Sequence, residues 1–156
     1  MSAHTTVPTK NCYRDIRTAT IADPEQTLYK IFSIGGTTGW YYANWLWQLR
    51  GFIDEIFGGP GLRRGRSHPN NIHTGEALDV WRVAYANREE RRLLLYAEMK
   101  LPGEAWLEFY IDENNVLHQT ATYVAHGLAG HLYWYAVLPF HGFIFKEMIK
   151  ALAKAQ

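Results

Sequence analysis

The chain of 156 residues is poor in cysteine and in net charge. Cys12 is its only cysteine, and the formal charge is +1. A single cysteine excludes an internal disulfide and a thiolate metal cluster. So small a net charge argues against a surface built to bind a polyanion, and we expect no nucleic acid partner. The first residues contain no apolar signal core, and together these features predict a cytoplasmic protein.

An uninterrupted apolar run of membrane-spanning length is also missing. A span needs about 20 predominantly apolar residues. The longest apolar stretch, Gly127 to Ala153, is interrupted by polar or helix-breaking residues and closed by charges: His131, Pro139, His141, Gly142, Lys146 and Glu147. We therefore predict that protein rather than lipid surrounds this stretch, and that the chain has no membrane span.

The composition that remains is that of one globular domain with many aromatic residues. Apolar residues make up 47% of the chain, charged residues 20% and aromatic residues 15%. A chain of this length can bury about 70% of its unfolded surface. We predict a mobile tail over residues 1–12 and a single domain over residues 13–156.

The first half of the domain is predicted to be a strand followed by helices. Residues 13–22 contain β-branched residues in partial alternation, which indicates a strand. Asp23 is a good helix cap and Pro24 a good first residue, so residues 25–32 favour a short helix, with a strand over residues 28–34 as the competing interpretation. The Gly-rich residues 35–39 predict a loop. Residues 40–57 show apolar side chains at helical spacing and predict a second helix, and residues 62–75 predict a loop.

The second half changes to a period of two and then ends in a long helix. Four strands are predicted, over residues 78–85, 92–101, 105–111 and 116–124, and their short connections imply an antiparallel meander. Gly127 to Ala153 predicts a helix whose second half is amphipathic and whose first half is apolar nearly all round, so it must be enclosed. The order of elements predicts an α+β fold with the long helix covering a curved antiparallel sheet.

Several segments resemble, in the same order, an uncharacterised bacterial domain family. They are Ile34–Gly36, Gly39–Tyr42, Trp45–Trp47, Leu62–Arg66, Leu78–Val83, Ala97–Gly103, Tyr133–Tyr135 and Leu138–His141. That family commonly follows an NAD(P)-binding short-chain-dehydrogenase-like domain and is grouped with the START-like, polyketide-cyclase-like helix-grip (SRPBCC) superfamily. The resemblance implies a sheet gripping the C-terminal helix around an apolar cavity. It leaves two alternatives open, a domain that acts alone and one that acts with a separate NAD(P)-binding dehydrogenase-like partner, and it brings no catalytic residues.

One residue of the long helix and three strand carboxylates are candidates for acid–base chemistry. His141 lies among apolar positions on the helical wheel, where an imidazole is either a hydrogen-bonded core residue or an acid or base. Asp79, Glu98 and Glu108 could supply a carboxylate beside it. The alternative is that these carboxylates are solvated and lie near Arg82 or Arg92, because alternation turns Glu98 away from its apolar neighbours.

Neither metal nor cofactor binding is indicated by the remaining polar motifs. The loop containing Arg63, Arg64 and Arg66 could hold a phosphate or carboxylate, or could be a solvated loop with local ion pairs. Its spacing matches no nucleotide-binding motif. The histidines show no metal-binding spacing: His68, His73, His118, His126 and His131. We therefore predict no metal and no cofactor.

The aromatic residues suggest a ligand pocket. A set of them, with neighbouring apolar residues, is predicted to line it: Trp45, Trp81, Tyr85, Met99, Trp106, Trp134, Leu138, His141 and Phe145. The first hypothesis is a module that binds a small apolar or aromatic molecule between sheet and helix. The second is a cyclase, dehydratase or isomerase that uses His141 with a carboxylate, and the third is an interaction domain for a dehydrogenase-like protein.

Overall fold

The computed structural model describes residues 7–33, 73–78, 81–98 and 102–153. The strands within these residues are β1 (Tyr13–Thr20), β2 (Ala77–Leu78), β3 (Trp81–Asn87), β4 (Arg92–Ala97), β5 (Gly103–Ile111) and β6 (Val116–Ala125). The helices are α1 (Pro24–Phe32) and α2 (Gly127–Ala153).

The six strands form one antiparallel sheet in the order β1-β6-β5-β4-β3-β2. Strands β2 to β6 follow one another as a meander, and β1 closes the order by pairing with β6, so that Tyr13 lies opposite Tyr123 and Thr20 opposite Val116. A register shift between Val83 and Tyr85 marks a bulge in β3, a feature that bends a strand. The fold is α+β, a curved sheet with a long C-terminal helix.

The core lies on the face of the sheet that α2 covers, which we call the inner face. The sheet contacts of α2 fall on β6 and β1. Its second half buries four side chains: Phe145, Met148, Ile149 and Leu152. The strands contribute alternate residues to the same cluster, among them Leu93, Leu95, Leu107, Phe109 and Leu117. Burial of each such side chain contributes about 1.5–3 kcal/mol to folding.

Helix α1 is defined at its start by the residues that the sequence indicated. Asp23 caps it by accepting a hydrogen bond from the Gln26 backbone N–H at 3.1 Å, and Pro24 occupies the first turn. Its buried side then contacts the end of α2: Thr27 Oγ1 donates to the Leu152 carbonyl at 3.1 Å, and Lys30 Nζ donates to the Ala151 carbonyl at 3.0 Å. These bonds satisfy carbonyls that the last turn of a helix leaves open, and a cation is favourable there.

Most predicted elements that fall on described residues are confirmed. The long helix has the predicted bounds, the strand at residue 13 ends slightly early at Thr20, and residues 28–32 are helical rather than a strand. The strand predicted over residues 92–101 is observed from Arg92 to Ala97. The strand predicted over residues 78–85 appears as two strands, β2 and β3. The helix predicted over residues 40–57 and the loops predicted over residues 35–39 and 62–72 lie outside the described residues.

The prediction that α2 is enclosed along its whole length is wrong for its first half. Its side away from the sheet carries large apolar side chains that are mostly exposed: Leu128 76%, Leu132 60%, Tyr135 62%, Phe140 67% and Phe143 57%. We call these five residues the exposed stripe of α2. Because α2 lies along one side of the sheet, only one of its faces finds a partner among the described strands.

Candidate functional site

The interface between α2 and the inner face is built from residues paired across β1 and β6. The register places Asp15 opposite Ala121 and Arg17 opposite Gln119. Side chains two apart on a strand share a face, so these residues follow Tyr13 and Tyr123 in one row beneath α2. The helix runs along this row in the same direction as β1 and divides it into an aromatic end, a middle section and an apolar end.

At the aromatic end, one tryptophan lies flat on two tyrosines. The Trp134 ring stacks on Tyr13 with centroids 5.0 Å apart and on Tyr123 with centroids 5.7 Å apart. Trp134 is only 7% exposed, so the stack closes this end of the interface. The Tyr123 hydroxyl lies 3.1 Å from the Pro102 carbonyl and 3.2 Å from the Gly130 carbonyl, so its one proton is shared between them and links the strand to the helix.

Three polar groups meet at the outer edge of this stack. The Tyr13 hydroxyl lies 2.7 Å from His131 Nδ1. Either tautomer of the imidazole allows this contact, because a phenol both donates and accepts. A hydrogen bond with Tyr135, followed by partial desolvation, raises the pKa of Tyr13 above its usual value. The Tyr13 hydroxyl therefore stays protonated near neutral pH and acts as a hydrogen-bonding group.

The apolar end is filled mainly by large apolar side chains. Phe145 is 3% exposed, and Met148 and Leu152 are fully buried against the main cluster of strand residues. Interiors of this kind have few voids larger than a water molecule. This end of the interface therefore stabilises the fold.

The middle section combines small residues with polar ones. Ala121 lies on the strand side, and on the helix side an added Cβ at Gly142 would come no nearer than 3.6 Å to Arg17 Nη2. Arg17 Nε lies 2.9 Å from Asp15 Oδ1, and Arg17 Nη2 donates to Asp15 Oδ2 at 3.2 Å. Both side chains are half-buried. An ion pair in this position is costly to desolvate, which is unusual for a purely structural interface.

Gln119 completes the middle section. Its Nε2 donates to the Phe145 carbonyl at 2.9 Å, and the residue is 1% exposed. Its Oε1 is buried and accepts no hydrogen bond. Buried polar atoms in native proteins almost always have a partner, so this oxygen marks a point where another group can bind.

The structure does not bring two of the candidate carboxylates to α2. Glu98 lies 3.0 Å from Arg82, and Glu108 lies 2.6 Å from Arg92. Both occupy the outer face, the side of the sheet opposite α2, because they alternate with inward-facing residues. This is the arrangement that the alternative interpretation predicted. His141 lies in α2, but its side chain is outside the described part of the structure. Asp79 also lies outside the described residues.

The predicted lining residues divide between the two faces. Trp81, Trp134 and Phe145 are buried on the inner face, and Leu138 on α2 is 39% exposed. Tyr85 and Trp106 lie instead on the outer face, in a second cluster with Ala84 and Leu94. They are therefore separated from α2 by the sheet. Trp45 and Met99 lie outside the described residues.

Within the described ranges, the histidines are separate from one another. Each contacts its own neighbours: His73 contacts Glu76, His118 contacts Asp112 and the Tyr110 ring, His126 contacts Glu104, and His131 contacts Tyr13. No three potential metal ligands converge among the residues that the structure describes. His68, Arg63, Arg64 and Arg66 lie outside those residues.

An open depression of about 700 Å³ lies at the turn end of the sheet, away from the aromatic end of α2. Its lining is largely charged and carries both signs, including Glu90, Arg91, Arg92 and Asp112. Such a surface does not suit an apolar molecule. The middle section beneath α2 is therefore the stronger candidate site.

Sequence reasoning missed the residues of the middle section. In β1 the polar Asp15 and Arg17 face inward, whereas the apolar Ile16 faces outward and is 57% exposed. This reverses the usual pattern of a strand with one buried face. The sequence signal that could have revealed these residues was the reversed alternation of β1, in which polar residues occupy the positions that face an apolar helix.

A family model described as a protein of unknown function (DUF2867) matches residues 9–148. The chain belongs to the DUF2867 family. The match extends from the tail before β1 into the last turns of α2, so it includes all residues of the middle section. Membership of a family of unknown function agrees with the resemblance noted in the sequence, whereas the dehydrogenase-like neighbour stays a prediction.

Comparison with other proteins adds little to the DUF2867 assignment. No curated protein matches the chain. One similar solved structure is the major latex-like protein 151 of Panax ginseng, which has 12% sequence identity to this chain and a TM-score of 0.43. The alignment covers 92% of this chain and 99% of the ginseng chain. Among the described residues of this DUF2867 chain, neither helix is long and apolar enough to cross a membrane.

Proposed function

We propose that this protein binds a small apolar or aromatic molecule in the middle section between the inner face and α2. The observation that supports the proposal is the contrast along the interface. Ala121 and Gly142 contribute no side chain larger than a methyl group to a section that also carries Asp15, Arg17 and Gln119, whereas the flanking sections carry Trp134 and Phe145. Small residues between large ones leave volume, and volume in a core is destabilising unless something fills it.

The chemistry of the lining agrees with this class of ligand. Sites for small organic molecules are mostly apolar and carry a few polar groups that orient the ligand. Here Trp134 and Phe145 bound the section at its two ends, and the Asp15–Arg17 pair and Gln119 supply the polar groups. The pair is neutral as a whole, which disfavours a strongly charged ligand.

Binding is better supported than catalysis by a histidine and a carboxylate. The described carboxylates proposed for that chemistry, Glu98 and Glu108, are paired with arginines on the outer face. A general acid or base must lie within hydrogen-bond reach of the reacting group. A dehydrogenase-like partner stays a separate hypothesis, which a pull-down with the purified chain would test.

Titration with 2-methoxynaphthalene, followed by two-dimensional NMR of the amide groups, tests the proposal. We expect saturable shifts at Ala121, Gln119 and Gly142. Ala121→Leu should fill the section and weaken binding by about tenfold or more, since the loss of a buried aromatic group is worth well over 1.4 kcal/mol. Circular dichroism would confirm that this variant is folded.

The matched control concerns the exposed stripe of α2, which could bind the same probe on the outside. Phe140→Ser removes a large apolar side chain from the stripe and should leave the affinity unchanged. If Phe140→Ser abolished binding and Ala121→Leu did not, the probe would be bound on the outside of α2. That result, or the absence of saturable shifts, would overturn the proposal.

A further inference from the structure

The orientation of Gln119 is fixed by its surroundings. The Phe145 carbonyl can only accept, so the group 2.9 Å from it must be the amide nitrogen, Nε2. The oxygen, Oε1, therefore points to the other side of the amide and is buried there without a donor. An unsatisfied buried acceptor costs about 1–3 kcal/mol.

The neighbouring strand carries a buried donor that is ion-paired but lacks an aligned hydrogen bond. Arg17 is the residue directly opposite Gln119 in the β1–β6 register. Its Nε is buried and, although 2.9 Å from Asp15 Oδ1, is not aligned for a hydrogen bond. The remaining residues of the middle section, Ala121 and Gly142, have no polar side-chain atom. A buried acceptor and a buried donor thus lie on paired residues without satisfying each other.

We propose that these two atoms form a hydroxyl-binding subsite, so that the ligand is an apolar or aromatic molecule with an uncharged hydroxyl group. A hydroxyl donates one hydrogen bond and accepts others, so one such group can satisfy both Gln119 Oε1 and Arg17 Nε. A carboxylate would meet the Asp15 carboxylate and the Gln119 oxygen, and an ammonium would meet the Arg17 guanidinium. This inference rests on the proposed function and names the chemical class that the same site prefers.

Three probes of similar size separate the inference from the proposed function. They are 2-naphthol, which donates and accepts, 2-methoxynaphthalene, which only accepts, and 2-methylnaphthalene, which does neither. We expect 2-naphthol to bind about tenfold more tightly than 2-methoxynaphthalene, the value of one well-buried hydrogen bond, and 2-methylnaphthalene to bind more weakly than both. Isothermal titration calorimetry near neutral pH measures the three affinities.

Variants on the two faces of β6 then test whether the preference for 2-naphthol arises at Gln119. Gln119→Met conserves volume and removes the acceptor, and it should reduce the preference for 2-naphthol to about twofold or less. Thr122→Val is the matched control, because Thr122 Oγ1 is likewise buried without a partner but lies on the outer face. It should leave the preference unchanged.

If Gln119→Met is unstable, the wild-type protein still provides a test. The side-chain amide resonances of Gln119 should shift further with 2-naphthol than with 2-methoxynaphthalene, because only 2-naphthol donates to Oε1. Equal affinities for the three probes would overturn the subsite and leave the proposed function standing. Failure of all three to bind would overturn the proposed function itself. A preference that survives in a folded Gln119→Met variant would place the hydroxyl elsewhere and also overturn the subsite.

Discussion

At the scale of single residues, the Tyr123 hydroxyl joins three parts of the chain. Its one proton is shared between the Pro102 carbonyl before β5 and the Gly130 carbonyl in α2, while its ring stacks on Trp134. Loss of the hydroxyl removes this donor from both carbonyls, although the Pro102 carbonyl still accepts from the His126 backbone N–H.

Tyr123→Phe should therefore lower the free energy of unfolding by about 0.5–1.5 kcal/mol, the net value of a typical hydrogen bond. Urea unfolding followed by circular dichroism measures the change. Tyr110→Phe, on the outer face of β5, is the control and should be nearly neutral. A Tyr123→Phe variant as stable as the wild type would show that water replaces the hydroxyl.

Two glycines of α2 are expected to respond in opposite directions to alanine. A Cβ at Gly130 would collide with the Pro102 carbonyl oxygen and the Ala125 backbone, whereas at Gly142 its nearest neighbour would be the Arg17 guanidinium at 3.6 Å. Gly130→Ala should destabilise the fold by about 1–3 kcal/mol through overpacking. Gly142→Ala should stabilise it by up to about 1 kcal/mol through helix propensity. Thermal unfolding of both variants measures the two changes in stability. Equal changes in melting temperature would contradict the close approach at Gly130.

At the scale of elements, α1 holds the end of α2. The Leu152 carbonyl is buried and accepts from Thr27 Oγ1, and Lys30 reaches the preceding carbonyl. Thr27→Val keeps the shape of the side chain but leaves a buried carbonyl without this donor. We expect a loss of about 1–3 kcal/mol in the free energy of unfolding. Thr18→Val, an exposed residue of β1, is the control, and similar losses for both variants would contradict the role of α1.

The turn between β5 and β6 carries a pH-dependent contribution to stability. His118, and the backbone N–H groups of Val116 and Asn114, donate to Asp112 and lower the pKa of its carboxyl group. Because the pKa is lower in the folded state, the unfolded chain binds more protons as the pH falls below about 4. Stability is therefore lost as the pH decreases through the folded-state pKa.

Asp112→Asn should accordingly be less stable than the wild type near about pH 7, and the difference should narrow below about pH 4. Melting temperatures measured across this range provide the test. A difference that stays constant with pH would mean that the carboxylate charge contributes nothing to the turn.

At the scale of the whole molecule, the sequence was sufficient for the architecture and insufficient for the site. The period-two strands and the long apolar helix are local patterns, and each element appears with bounds close to those expected. The outward orientation of Glu98 also followed from local alternation. Which face of β1 meets α2 depends on a partner strand about 100 residues away, and no local pattern contains that information.

The same limit explains the misassigned aromatic residues. Trp106 and Trp81 are equally apolar and equally buried, yet they lie on opposite faces. Shifting the parity of a strand by one residue exchanges its two faces. Aromatic content alone therefore predicted a lining without saying which half of the residues face α2.

The long-range pairing of β1 with β6 also predicts slow folding. Closing a loop of this length costs entropy before any contact compensates for it, and folds dominated by distant strand pairs refold in milliseconds to seconds. Stopped-flow refolding, followed by tryptophan emission, should show a main phase in that range. A main phase in microseconds would contradict the distant pairing as the limiting step.

That pairing has a consequence for synthesis in the cell. Arg17 emerges from the ribosome early, Gln119 much later, and Gly142 later still. A ligand bound between these three residues cannot bind to the nascent chain before all three have been synthesised. Any hydroxylated compound that this protein carries must be loaded after the last helix has left the exit tunnel.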